Sequence, residues 1–302
     1  YKEADFWMLR QAELDFLRSL DQAWSKLAVT QRRKSVIQDR LAVLKKENGM
    51  IEKLIGAGEV EFSSRQVASQ RMNDAIREFQ NVTEAELEQQ MELVKLMGMH
   101  PSSAPRLRFL TGQGFSLPAA VAAPSPAALM ESPKVKAQMA TYATTETLLK
   151  TEIRRQYPEL ELGPSFTRDD EEKEVGGEIG FNIPLWNRNR KAIAEARGVR
   201  NTARLETVQL WKTELFNARQ LEATQQMVIR HCRTELQRME SFSSSVQTME
   251  KLHGIGEASL LELAENRHQL YESRLAFLDS LDKLLGIQAQ LRYITHANLQ
   301  SK

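Results

Sequence analysis

The 302-residue chain has a single cysteine, Cys232, so it can form neither an internal disulfide nor a zinc site built from several thiolates. It has no excess charge of one sign. Forty-one lysines and arginines face 40 aspartates and glutamates, so no field of the kind that gathers nucleic acid surrounds it. It also has no long hydrophobic run: no window approaches the roughly 18–20 uncharged apolar residues of a membrane-spanning helix, and mean hydropathy is −0.46. The opening residues "YKEADFWMLRQAEL" lack the basic start and apolar core of a signal peptide. No Ser-His-Asp set, phosphate loop or histidine pair at i and i+4 appears, so nothing here supports an enzyme, a cofactor or a metal centre.

Helical pattern fills most of what remains, and a content of 41% hydrophobic and 27% charged residues is globular. From Lys2 to Met50 there is no proline and glycine occurs only at Gly49, while Phe6, Leu9, Leu17, Leu20, Trp24, Leu27, Ile37, Leu41 and Leu44 recur at helical spacing. A second helix is predicted from about Ser63 to Met97, stopped by Gly98 and Pro101. "HPSSAPRLRFLTGQGFSLPAAVAAPSP" reads as an extended linker, and a shorter helix fits Pro133 to Gln156. From about Asn187 to Leu252 proline is absent and Gly198 is the only glycine. Some 65 helical residues rise roughly 100 Å, too long for a globular core and suited to a coiled coil or a barrel of helices. A return helix from about Ala258 to His296 is striped by Leu260, Leu263, Leu270, Leu278, Leu281 and Leu285.

One stretch changes period. Leu160, Leu162, Pro164 and Phe166 alternate with polar residues or glycine. Val175, Gly177, Ile179, Phe181, Ile183 and Leu185 alternate with Gly176, Glu178, Gly180, Asn182 and Pro184, and the acidic "DDEEKE" lies between the two runs. This predicts a β-hairpin with one apolar and one polar face. Strands of about ten residues suit a soluble sheet, but also the 9–11 residues of a membrane-barrel strand, with Tyr157, Phe166, Phe181 and Trp186 as aromatic anchors.

Two octets nearly repeat: "EKLIGAGE" from Glu52 and "EKLHGIGE" from Glu250, identical at six of eight positions. Each joins a long rising helix to a returning one, so the chain reads as a structural duplication. Glycine permits the reversal, which needs positive φ at one position or more. A turn does not require the flanking Glu-Lys-Leu, and its recurrence points to a binding role for the tips.

The order of strand, acidic turn, strand, "FNIPLWNRNRKAIAEAR", 65-residue helix, Gly-x-Gly tip and return helix resembles the outer-membrane efflux factors of the TolC type. "IPLWNRNR" followed by "AIAEA" is similar to the branch associated with heavy-metal efflux. The resemblance implies a mainly α chain of long antiparallel helical hairpins (a coiled-coil α-barrel) with an amphipathic β-hairpin contributing to a trimeric outer-membrane β-barrel. The implied segments are 1–100, a first helical hairpin; 101–131, a linker; 132–156, a short helix; 157–186, the β-hairpin; and 187–302, a second helical hairpin. The implied function is a duct that exports small solutes, metal cations or drugs, from a Gram-negative periplasm across the outer membrane. Its implied partners are two further copies of the chain, a periplasmic adaptor, an inner-membrane pump of the RND type and outer-membrane lipid, with no nucleic acid.

By the same likeness, Leu54, Gly56, Ala57 and Gly58, with Leu252, Gly254, Ile255 and Gly256, are the tip residues that meet the adaptor. Glu47, Glu52, Glu240 and Glu250 are candidates for a cation-binding gate at that end. Leu160, Leu162, Phe166, Ile179, Phe181, Ile183 and Trp186 mark the barrel hairpin. The duplication predicts another hairpin about 198 residues before Tyr157, ahead of residue 1. Two strands from each of three copies make six, below the roughly eight of the smallest barrels, whereas four from each would make twelve. A soluble coiled-coil scaffold is the alternative reading. Trp24, Trp211 and Cys232 are expected to fill helical seams, and His253 stands where the first tip has Ile55.

Overall fold

The computed structural model describes residues 2–58, 61, 63–100, 115–157, 159–168, 173–182 and 189–295. In chain order the elements are α1 (Lys2–Gly56), α2 (Ser63–Leu96), α3 (Pro126–Met130), α4 (Pro133–Arg154), β1 (Glu159–Arg168), β2 (Lys173–Asn182), α5 (Arg190–Gly254) and α6 (Leu260–Arg292). The chain is mainly α, and the described residues form long helical hairpins and one β-hairpin, as the sequence implies. α1 continues through Gly49 to Gly56, and α5 holds 65 residues without interruption. The five-residue α3 departs from the expected linker. Pro126 in its first turn lacks an N–H that would go unpaired there, and the Ser125 side chain accepts from the Ala128 N–H.

The described chain forms two compact units, Tyr1–Glu13 with Ser125–Phe216 and Leu14–Pro124 with Asn217–Lys302; α1 and α5 contribute to both. In the first unit, α4 and α5 pack with Leu129, Val135, Ala140, Ile193 and Ala203 buried. Lys134 pairs with Glu214 at 2.6 Å, and the Trp211 indole N–H donates to the Pro126 carbonyl at 3.4 Å. Trp211 therefore tethers α3 rather than filling a seam. Asn189 adopts φ 51°, a region that asparagine tolerates, and its amide donates to the Glu152 carbonyl and carboxylate at 3.0 and 2.7 Å. This ties the end of α4 to the start of α5.

β1 and β2 are antiparallel over ten pairs, with Leu160 opposite Phe181, Leu162 opposite Ile179 and Phe166 opposite Val175. Paired positions share a face of the ribbon, so the register keeps the alternation read in the sequence in step across the two strands. Ile179 is 61% exposed. Ile183 and Trp186 lie outside the described residues.

The second unit holds the main core. Ile37 of α1, Val82 of α2, Val228, Ile229 and Cys232 of α5, and Leu270, Phe277, Leu278 and Leu284 of α6 form one cluster. Full burial of each leucine contributes about 1.5–3 kcal/mol. Cys232 is the buried packing residue expected of it, and Leu270, Leu278, Leu281 and Leu285 of the α6 stripe face this core, whereas Leu260 joins Ile51 and Ala68 in a separate cluster. Trp24 does not fill a seam: it is 44% exposed. The described part of the linker is held by two fully buried glutamines. Gln225 exchanges two hydrogen bonds with the Val121 backbone at 2.9 and 2.7 Å, and Gln288 donates to the Ala119 carbonyl at 2.9 Å. Phe115 meets Phe277 edge-to-face at 5.6 Å. Among the described residues no helix is long and apolar enough to cross a membrane.

Candidate functional site

The repeated octets are the two helix reversals. At the second, the Gly256 N–H donates to the His253 carbonyl at 3.1 Å and the Glu257 N–H to the Leu252 carbonyl at 2.9 Å, with Gly256 at φ 78°. These are the paired bonds of a Schellman cap, whose residue past the helix end must be left-handed. The first reversal matches: Gly58 has φ 73° and its N–H donates to the Ile55 carbonyl at 3.0 Å. Only the second glycine of each Gly-x-Gly is therefore required by the turn. Gly56 and Gly254 lie in ordinary helical backbone, and a methyl group added at either would meet nothing within 4 Å.

Ion pairs brace both reversals. Arg65 of α2 grips Glu52 of α1 in a two-pronged contact, Nε to Oε1 at 2.7 Å and Nη2 to Oε2 at 2.6 Å, with both side chains about half exposed. At the second reversal Arg267 of α6 donates to Glu250 of α5 at 2.8 Å and to Glu47 of α1 at 2.9 Å. Glu47 is 5% exposed. Burial alone would lower the Arg267 pKa, but the bonds to Glu250 and Glu47 outweigh it and hold the guanidinium firmly charged. Three of the four predicted gate carboxylates are thus already paired with arginine. Glu240 is exposed on α5 and has no ion pair among the described residues.

The second reversal carries further braces. His253 hydrogen-bonds the Ala258 carbonyl through Nδ1 at 3.0 Å, and Ser259 forms a reciprocal capping box with Glu262. The Glu262 carboxylate accepts from the Ser259 backbone N–H and from its hydroxyl, and these bonds hold it below the usual carboxylate range. Ile51 and Leu54 from the first reversal and Leu260 and Leu261 from the second line a groove of about 530 Å³, with Ile255 exposed nearby in sequence. Of the predicted tip residues, Leu54 and Gly256 line this groove. Sequence reasoning missed Arg65 and Arg267, although a signal existed for the first. For Arg65, seven residues beyond Gly58 with Glu52 six before it, the signal is near-equal distance from an antiparallel turn, which makes residues face one another; Arg267, eleven beyond Gly256 with Glu250 six before it, carried no such signal.

No protein-family model and no curated protein sequence matches the chain. Solved structures do. The outer membrane protein VceC of Vibrio cholerae superposes with a TM-score of 0.79 at 14% identity, over 96% of this chain and 71% of its own. The CmeC outer membrane channel of Campylobacter jejuni gives 0.77 at 14%, over 97% and 64%. The open-state MtrE outer membrane channel of Neisseria gonorrhoeae gives 0.76 at 14%, over 95% and 67%. This chain has the fold of those outer-membrane channels, the fold that the resemblance in its sequence implied.

Proposed function

We propose that this chain, folded like an outer-membrane channel, is the duct subunit of a three-part efflux system. The observation that carries the reading is the joining, on one chain, of a ten-pair amphipathic hairpin to a 65-residue helix ending in a capped tip. A lone two-stranded ribbon is marginal in water, and a ribbon with one apolar face is completed by further strands in a barrel. Strands from three copies form that barrel. The face bearing Leu160, Leu162, Phe166, Ile179 and Phe181 meets lipid, and the Glu161 and Glu178 face lines water. The helices continue the conduit through the periplasm, and no bond is made or broken.

The tips are the adaptor's docking points. Gly56 and Gly254 support this, since neither the backbone nor any neighbour among the described residues calls for glycine there. A bare helix surface admits close approach of a partner's backbone. Opening is a shift between two helix packings, favoured by adaptor contacts made only in the open state. Energy and substrate choice belong to an inner-membrane pump of the RND type. A cation-binding gate reduces to Glu240 while Arg65 and Arg267 hold the other three carboxylates.

Light scattering of the full-length gene product tests the reading. A trimer in nonionic detergent that aggregates in plain buffer supports a shared barrel. A well-behaved monomer or dimer without detergent overturns it in favour of a coiled-coil scaffold.

A further inference from the structure

Between α1, α2 and α6 lies a cavity of about 170 Å³ that no part of the duct reading uses. Four arginines line it, Arg40, Arg71, Arg267 and Arg274, against the carboxylates of Asp39 and Glu47. Three of the arginines have partners. Arg40 lies over the Tyr271 ring at 3.8 Å and pairs with Glu78 at 3.4 Å, Arg71 pairs with Glu265 at 2.6 Å, and Arg267 holds Glu47 and Glu250. Arg274 differs. Among the described residues it makes no hydrogen bond and no ion pair, and its Nε is sealed from solvent. Burial, then the nearby Arg32, disfavours its charge, with Asp39 as the compensating charge. A half-buried guanidinium without a partner is costly, because desolvation is not repaid by any acceptor.

We propose that the cavity binds a small organic anion, a monocyclic aromatic carboxylate, whose carboxylate pairs with Arg274. The guanidinium fork matches a carboxylate in shape as well as charge. Beside His268 and the charged groups, Val36, Val43, Leu44, Leu270 and the Tyr271 ring supply an apolar wall that favours an apolar body over a bare inorganic ion. A cavity of about 150 Å³ holds a benzene ring, so the volume here suits one ring and a small substituent. The occupant bridges α1 and α6 and stabilises their packing by mass action. The inference stands on the cavity alone and does not depend on the duct reading.

The test is calorimetric titration and thermal unfolding of the whole chain in nonionic detergent and low-chloride buffer, with sodium benzoate, the neutral benzamide and sodium chloride as probes. Benzoate is expected to bind saturably and raise the unfolding temperature, and the other two are expected to do neither. Arg274→Gln weakens benzoate about tenfold or more, the loss of a charged hydrogen bond, while Arg233→Gln on the exposed side of α5 leaves it unchanged. Without any anion, Arg274→Gln raises the unfolding temperature, because it removes a half-buried cation that no hydrogen-bond acceptor satisfies. Equal binding of benzoate and benzamide, an equal effect of chloride, or undiminished benzoate binding by Arg274→Gln overturns the proposal. So does an Arg274→Gln chain that fails to fold, since that requires partners Arg274 would then have.

Discussion

The two helix reversals share a backbone and differ in what braces it. Both end in a left-handed glycine, Gly58 or Gly256, and both carry a Glu-Lys-Leu run before it. The first is braced by an exposed Arg65–Glu52 pair on its own two helices. The second is braced by Arg267, which reaches a nearly buried Glu47 on α1, and by the His253 and Ser259 contacts. Equal turns with unequal braces predict unequal consequences of equal mutations.

The largest difference is expected at the arginines. Arg267→Met leaves Glu47 buried without its cation. Breaking a fully buried pair costs about 3–5 kcal/mol, and the partial exposure of Arg267 reduces this to about 2–3 kcal/mol. Amide hydrogen exchange along α6 and the end of α1 would register it as faster opening of both. Unchanged protection at α1 would mean that Glu47 finds another partner and that the brace is not shared between the repeats.

Next come the glycines. Valine at Gly256 or Gly58 must enter the left-handed region, at about 1–2 kcal/mol for the backbone alone. The same valine at Gly254 or Gly56 meets helical backbone and open space. Exchange at the helix ends should rise for the first pair and stay level for the second. An alanine at Gly254 that leaves the fold intact and abolishes adaptor binding would sharpen the comparison further, by separating the glycine that turns the chain from the one that admits a partner.

A pH difference follows from His268. It neighbours Arg40 at 3.2 Å, with Glu272, Arg71 and Glu265 also near, and its counterpart 198 residues earlier is Gln70, which does not titrate. Burial first, and Arg40 second, lower its pKa below 6.5. The folded state therefore prefers the neutral ring. Its contribution is intact above pH 6.5 and is lost as pH falls from there through the folded value. Unfolding temperature should drop between pH 7.5 and pH 5 more steeply in the native chain than in His268→Gln. Parallel curves would mean that Glu272 and Glu265 compensate the proton.

Periodicity, glycine and proline made the helices, the hairpin and both reversals legible in the sequence, because each of these is a local consequence of its own residues. The pairing of Leu160 with Phe181 follows from alternation once the turn is known. What stayed hidden depends on contacts between distant segments. Gln225 and Gln288 read as ordinary polar helix residues, yet they are fully buried against a linker more than 100 residues away. Glu47 read as a solvated gate carboxylate and is held by Arg267 from the other repeat. α3 was hidden for the opposite reason: five residues give too little periodicity, and only Ser125 followed by Pro126 signals its start.

The smallest expected effect is the most discriminating. Arg65→Met breaks a two-pronged pair as short as any in the second reversal, at 2.6 and 2.7 Å. Distance alone would rank it with Arg267→Met. Solvent decides otherwise: both partners are about half exposed, water and salt replace the contact, and no buried carboxylate is stranded. Exchange at the α1–α2 reversal should therefore match the native chain at physiological salt, with a slight increase only at low ionic strength. A loss of protection as large as that of Arg267→Met would show that the two tips are braced alike after all. Burial of Glu47 would then not be the reason the second resists.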